Sequence, residues 1–322
     1  MTESSSTVLV TGGAGFIGSH VCQAYRDAGW HVIALDNLSS GTKENVPDGV
    51  ELIEMDIRSE ALPEFAKECR PALVNHHAAQ IDVRLSVADP RLDASINLDG
   101  WLNVLESARA AGAERVVYVS SGGVVYGEPD QLPTAETAPK APISPYGVSK
   151  LAGEHYQFCF RKVHGLEGVA LRYSNVYGPR QDPHGEAGVI ALFSRRLLDG
   201  RPLRIFGNGE QTRDYVYVGD VAAANLAVSA LSLPDPESID DVAFNVATGV
   251  EVSVRELAAT LLDVSGRAAE IEFVPARPGE LLRSALDTAR LRAAGWRPEV
   301  ELAEGLRRTY EYIAEHSQGN SG

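Results

Sequence analysis

Val8-Leu9-Val10-Thr11-Gly12-Gly13-Ala14-Gly15-Phe16-Ile17-Gly18 decides the fold of this 322-residue chain. Its first half is a short, apolar, β-branched run, which reads as a buried parallel strand. Its second half sets glycines at 12, 15 and 18. That spacing suits a tight turn at Gly12, close approach of backbone to a diphosphate at Gly15, and close packing of the next helix at Gly18. The helix, expected from about Gly15 to Ala28, points its unpaired N–H groups and positive dipole end at that diphosphate. A second strand, His31-Val32-Ile33-Ala34-Leu35, follows Gly29 and ends on Asp36. An acid at this distance accepts from a ribose 2′-hydroxyl and repels a 2′-phosphate, so the expected cofactor is NAD rather than NADP. A triphosphate-binding loop would need Lys and then Ser or Thr after Gly18, where the chain has Ser19 and His20. A glycine-rich turn with no ligand would not account for the strand before it or the acid after it.

The bulk composition bounds the rest. At 44% hydrophobic and 23% charged residues the chain reads as an ordinary globular protein, long enough for about two domains. A net charge of −15 argues against a nucleic-acid or anionic-membrane partner, while leaving room for a local basic pocket. Cys22, Cys69 and Cys159 are odd in number and sit in apolar helical patterns without Cys-x-x-Cys pairs, which reads as buried reduced thiols in a cytoplasmic protein. Met1 to Thr7 is Ser-rich, lacks an apolar core and reads as a loose end. No run approaches transmembrane length.

Strands and helices alternate through the first half. Strands are expected at Glu51–Glu54, Ala72–His76, Arg115–Val119 and Val169–Tyr173, and helices at Ala61–Glu68, Asp89–Ala111 and Tyr146–His164, with a Pro-rich surface loop over Gly127–Pro145. This is the pattern of a doubly wound parallel sheet of the Rossmann type. From Ser174 segments shorten and breakers such as Gly178-Pro179 and Asp182-Pro183 appear. A helix over Gly188–Leu198, a strand over Leu203–Phe206, a helix through Ala222–Leu231 capped by Asp220, and later segments at Ser253–Val264, Ile271–Val274 and Leu302–His316 read as a smaller C-terminal α/β lobe. Phe244-Asn245-Val246 is expected to return to the main sheet. The division is then 1–173, with a returning segment over about 214–247, for the cofactor domain. Residues 174–213 and 248–316 form the substrate lobe, and 317–322 a disordered tail.

Tyr146 and Lys150 lie four apart at the start of an expected helix, one turn apart on one face. An ammonium beside a phenol favours the phenolate, which makes a base usable near neutral pH. Such a pair is common by chance as a packing Tyr and a solvated Lys. Here it follows a dinucleotide fold and a strand ending in Ser120-Ser121, and ligands of open parallel sheets bind at strand carboxyl ends. No metal site is expected: the adjacent His76 and His77 point to opposite faces, and no Cys-rich or His-Glu-x-x-His set occurs.

The whole series then resembles the NAD-dependent epimerase/dehydratase family of extended short-chain dehydrogenases/reductases, and within it the UDP-glucose 4-epimerases. The resemblance rests on Thr11–Gly18, Asp36-Asn37-Leu38, Asp56-Ile57-Arg58, His77-Ala78-Ala79, Asn97, Ser120-Ser121, Val125-Tyr126-Gly127, Tyr146-Gly147-Val148-Ser149-Lys150, Leu171–Pro179 and Arg213–Val218, nearly the whole chain in order. It implies that Gly12, Gly15, Phe16, Ile17, Gly18, Asp36, Asn37, Ser120 and Tyr173 line the cofactor. Asp56 and Ile57 would edge the adenine, Ala78 and Ala79 its backbone, and Asn97 would hold the strand ends. Tyr146 would take the sugar 4-hydroxyl proton, Lys150 would bind the nicotinamide ribose and Ser121 would steady the hydroxyl. Asn175, Arg213 and Arg277 would meet the phosphates of a UDP-sugar, since a guanidinium fork matches such oxygens. The implied chemistry is transient oxidation at C4, rotation of the 4-keto sugar and return of hydride to its opposite face. A homodimer through the Asp89–Ala111 and Tyr146–His164 helices is implied as well.

The family's Ser or Thr normally stands four residues before the Tyr of Val-Tyr-Gly, and that place is Gly122. Either Ser121 reaches the sugar by a backbone shift, which Gly122-Gly123 makes easy, or the hydroxyl role is weakened. A 4,6-dehydratase or a UDP-glucuronate decarboxylase would carry an acid in Gly122–Val125, and none is present. A non-catalytic NAD-sensing regulator could dispense with Tyr146 and Lys150. Counting from Gly279-Glu280, the residue bordering the sugar 2-substituent is Ser284, with Arg283 or Ala285 as alternative registers; a small residue there admits N-acetyl sugars.

Overall fold

The computed structural model describes residues 6–182, 188–276 and 281–317. The first strand, β1 (Thr7–Thr11), has Val8, Leu9 and Val10 all buried, because helices cover both faces of its sheet. In chain order there follow α1 (Phe16–Asp27), β2 (His31–Asp36), β3 (Glu51–Glu54), α2 (Leu62–Cys69), β4 (Leu73–His76), α3 (Val83–Ala88), α4 (Pro90–Ala94), α5 (Gly100–Ala111), β5 (Arg115–Ser121), α6 (Gly122–Val125), α7 (Pro145–His164) and β6 (Glu167–Tyr173). The second half contributes β7 (Asn175–Tyr177), α8 (Val189–Leu198), β8 (Leu203–Phe206), β9 (Thr212–Arg213), β10 (Tyr215–Tyr217), α9 (Val218–Ser229), β11 (Ala243–Val246), β12 (Val252–Ser253), α10 (Val254–Ser265), β13 (Ile271–Val274), α11 (Ala289–Ala293) and α12 (Leu302–Ser317).

The main sheet has seven strands in the order β11-β6-β5-β4-β1-β2-β3, all parallel. The chain reverses direction across the sheet between β1 and β4, so a crevice opens beyond their carboxyl ends. Asn225 of α9 explains why a helix from late in the chain covers this sheet. Its side chain accepts from Asn75 of β4 at 3.0 Å and donates to the Tyr173 hydroxyl of β6 at 2.6 Å. The Tyr25 hydroxyl of α1 donates to its carbonyl at 3.3 Å. Three small two-stranded sheets, β10-β7, β12-β9 and β13-β8, lie in the second half. There Leu203, Ile205, Phe193, Leu257, Leu261 and Leu306 form a separate apolar cluster under α8, α10 and α12. Among the described residues no helix is long and apolar enough to cross a membrane.

Several sequence expectations are corrected. The segment Asp89–Ala111 is not one regular helix: Asp89 caps α4, a π turn occupies Ser95–Asp99, and α5 follows. Asp220 is not a helix cap; it lies in the first turn of α9, and its carboxylate accepts from the backbone N–H of Glu299 and Val300, both at 3.1 Å. The Gly127–Pro145 stretch is not simply surface. Thr134 and Glu136 are buried, Glu136 accepts from Asn245 N at 3.0 Å, and Pro145 already opens α7. Of the thiols only Cys22 is buried, while Cys159 is exposed on α7. Thr7 belongs to β1 rather than to a loose end, and 318–322 lie outside the described residues.

Candidate active site

A cleft of about 1190 Å³ opens at the carboxyl ends of the sheet strands. Its nucleotide end is made by the glycine loop. Gly12 has φ +69°, and a Cβ there would stand 2.6 Å from Ala78 N. A Cβ on Gly18 would stand 2.0 Å from Gly12 O, so only glycine lets α1 start this close to the loop. Gly15 occupies the N-cap of α1, whose first turn has no acid and no capping side chain. The first N–H groups of the helix are therefore left for an anion. At the end of β2 the Asp36 carboxylate accepts from Ala14 N at 3.0 Å and Leu38 N at 2.8 Å, fixing the loop. Asp56 accepts from Arg58 Nε at 2.9 Å and from Asn37 Nδ2 at 2.9 Å, and the Arg58 hydrogen bond holds its carboxyl well below the usual carboxylate range. Phe16, Ile17, Ile57, Ala78 and Ala79 line the same cleft. A cradle that any Cβ would fill, an acid at the ribose distance and a bare helix N-terminus fit NAD.

Asn97 does not line the cleft. It is buried on the π turn, accepts from Gln80 N at 2.9 Å and donates to Gln80 O at 2.9 Å, clamping the backbone beyond β4. The extra residue of the π turn is what aims its amide at that backbone. His76 and His77 do part to opposite faces. His76 shares a hydrogen bond with Thr11 Oγ1 at 2.7 Å and stacks on Trp101, whereas His77 lies 6.4 Å, ring to ring, from Tyr173.

Ser121, Tyr146 and Lys150 meet in the cleft. Ser121 lines the cleft with Tyr146 and acts to lower its phenol, whereas the Ser120 hydroxyl donates to Glu154 at 2.5 Å. A Cβ on Gly122 would stand 2.4 Å from Leu286 Cδ1, and Ser121, not Gly122, lines the cleft. Lys150 Nζ donates to Val119 O at 2.9 Å and lies over the Tyr118 and Tyr146 rings, 5.2 and 5.8 Å from their centres. Burial, with the charge of Asp93, pushes the Tyr146 phenol up. Burial also brings Lys150 down to about 8.

At the far end Asn175, Arg213 and Ser284 line the cleft. Arg213 also donates to Thr212 O at 2.8 Å. The register around 284 is visible: Arg283 turns outward to Glu251 at 2.5 Å and Ala285 is buried, leaving Ser284 on the wall. Arg277, with Gly279 and Glu280, lies outside the described residues. Sequence reasoning missed Arg180, which lines the cleft beside α1 and donates to Ser19 Oγ at 3.3 Å and Gln23 Oε1 at 2.9 Å. Its signal was the Gly178-Pro179 breaker read only as a turn; Arg180 itself has φ +67°.

Comparison with known proteins adds to this geometry. Residues 8–247 match the model of the NAD dependent epimerase/dehydratase family. The UDP-glucose 4-epimerase of Thermotoga maritima, solved with UDP-glucose, is 42% identical, with a TM-score of 0.92 over 97% of this chain and 99% of that one. The Thermus thermophilus UDP-glucose 4-epimerase, solved with NAD, is 46% identical, with a TM-score of 0.88 over 95% and 98%. The UDP-N-acetylglucosamine 4-epimerase of Methanobrevibacter ruminantium, in complex with UDP-N-acetylmuramic acid, is 33% identical, with a TM-score of 0.91 over 97% and 99%. The glycine cradle, the acid at the end of β2 and a family match that runs from β1 through β11 agree: the chain belongs to the NAD-dependent epimerase/dehydratase family.

Proposed function

We propose that the protein interconverts UDP-glucose with UDP-galactose and also UDP-GlcNAc with UDP-GalNAc. The observation that carries the reading is the meeting of Ser121, Tyr146 and Lys150 in one cleft with the glycine cradle. Bound NAD supplies a reversible hydride acceptor. Tyr146 is the proton acceptor for the 4-hydroxyl and returns the proton after the sugar has turned. Ser121, on the same cleft wall as the phenol, holds that hydroxyl. Lys150 supplies positive charge beneath the ribose end of the cofactor. Asn175 and Arg213, with Arg180 as a further cation at the glycine loop, hold phosphates, so that the nucleotide is gripped while the sugar ring is free to turn. Ser284 on the wall leaves space for an N-acetyl group, and its hydroxyl can bond the amide.

Residues 1–173 with the returning segment 214–247 act as the NAD-binding unit, and 174–213 with 248–316 as the substrate lobe. The protein works as a cytoplasmic homodimer through the α5 and α7 faces. Val148, Tyr156 and Val163 support this: spaced along α7 at seven and eight residues, they are 52%, 40% and 67% exposed. The test is to offer the NAD-loaded protein each of the four UDP-sugars and to separate the products. Interconversion within both pairs is expected. A product lacking the 6-oxygen, or no conversion of any of the four, would overturn the reading.

A further inference from the structure

We propose that Asp93 is a positioning residue of the reaction centre: its buried carboxylate is the fixed counter-charge that keeps the Lys150 head group an ammonium away from water. The proposal rests on the reading of Tyr146 and Lys150 given above.

Asp93 stands on α4 and is 1% exposed. One carboxylate oxygen accepts from Gln80 Nε2 and Asn97 Nδ2, both at 3.0 Å; the other accepts from Ser149 Oγ at 2.5 Å. All three partners donate, which suits the ionised acid. The three bonds join the loop beyond β4, the π turn and the stretch of α7 between Tyr146 and Lys150. Among the described residues no cation forms an ion pair with Asp93, and a buried charge without a partner is costly.

The surroundings of Lys150 show where that charge acts. Its Nζ donates to Val119 O at 2.9 Å and lies over the Tyr118 and Tyr146 rings; the charges of Glu154 on α7 and of Asp93 on α4, held one residue away through Ser149, favour its ammonium, and the imidazoles of His76 at the end of β4 and of His77 just beyond it are neutral. Two carboxylates therefore favour the ammonium. Glu154 is already engaged by Arg172 at 2.6 Å and by the Ser120 hydroxyl. Asp93 meets only neutral donors, so its field is not cancelled locally. The same field opposes ionisation of Tyr146. Asp93 thus sets both members of the pair, and its loss lowers both together.

Asp93→Asn keeps the shape and removes the charge; Ser149→Ala removes a bond and keeps the charge. Competitive acetylation followed by peptide mapping gives the midpoint of Lys150 without reference to turnover. In Asp93→Asn it should fall by on the order of one pH unit. Both limbs of the holoenzyme pH–rate profile should move to lower pH together, since the same carboxylate charge acts on both groups. Ser149→Ala should leave midpoint and limbs in place. An unmoved midpoint in Asp93→Asn, with only a lower plateau, would overturn the proposal, as would an equal shift in Ser149→Ala. If Asp93→Asn does not fold, Asp93→Ser carries the same expectation. A wild type with no epimerase turnover would sink the functional reading alone, because the acetylation result stands apart from it.

Discussion

The two ends of the cleft are built from different material. At the nucleotide end a ligand meets main chain: the turn at Gly12, the bare start of α1, and the backbone of Ala78 and Ala79, with Asp36 holding the loop from behind. At the sugar end it meets side chains drawn from β5, α7, β7, β9 and the 281–284 loop. The first end is defined by atoms that must be missing, and a missing Cβ is written in the sequence as glycine. The second depends on how distant loops come into register, which spacing along the chain does not encode.

Tyr146→Phe breaks the sugar end alone. It removes one oxygen, so turnover should drop by about 10²–10⁴-fold while NAD content stays that of the wild type. Near-normal turnover would remove the distinction. Gly18→Ala is the converse: a methyl 2.0 Å from Gly12 O must push the loop off α1. We expect a loss of about 1–3 kcal/mol in denaturant unfolding and of copurified NAD, with any residual turnover rising on added NAD. Full NAD occupancy in this variant would show that the backbone cradle is not the grip.

Asp36→Ala sharpens the picture, because Asp36 holds the loop and is the acid proposed to meet the ribose. Loss of its bonds to Ala14 N and Leu38 N should cost about 1–3 kcal/mol. The preference for NAD over NADP should relax by about tenfold, roughly 1.4 kcal/mol, measured as the ratio of the two dissociation constants. Ser284→Tyr tests the far wall: conversion of UDP-GlcNAc should fall by at least about tenfold relative to UDP-galactose. Equal loss of both would mean that the residue supports the wall rather than selecting the sugar.

A further effect depends on pH and comes from His20, His76 and His77. Burial lowers His20 to about 4, His77 to about 3 and His76 well below 6.5. Between those values and 6.5 the unfolded chain binds more protons, so stability is full above about 6.5 and falls as pH drops toward 4. Each histidine contributes a slope of about 1.4 kcal/mol per pH unit. Denaturation midpoints at a series of pH values should show this, and His20→Gln should flatten the slope by one proton.

The parallel sheet was legible because β1, β2, β4, β5 and β6 are covered on both faces and so read as apolar runs. Leu203–Phe206 and Ile271–Val274 were legible as short, largely apolar runs, although neither is buried on both faces. What the sequence hid was polar and long-range. The π turn at Ser95–Asp99 has no periodicity of its own, and Asp220 looked like a cap because its two acceptors are filled by residues some eighty positions away. The Tyr146–Lys150 spacing placed both groups on one face but could not show that Val119 O captures the ammonium. Nor could spacing show that Leu286 stands against Gly122.

Leu286 also bears on how such a pocket could be transplanted. Thr134 N donates to Ala285 O at 2.8 Å, Asp287 N donates to Thr134 O at 2.9 Å, and Asn245 Nδ2 bonds both Thr134 O and Asp287 O at 2.9 Å. The strip that carries Ser284 is therefore riveted to the loop after β5 and to β11 as well as to β9 and Glu251, where Thr212 N donates to Leu282 O at 2.9 Å and Arg283 pairs with Glu251. A cassette cut at 281–286 and grafted from a relative would arrive without its rivets. Grafts that keep the sugar selectivity of the donor must carry positions 122, 134 and 245 with the strip, because the recipient's own residues there decide where the new side chain at 284 comes to rest.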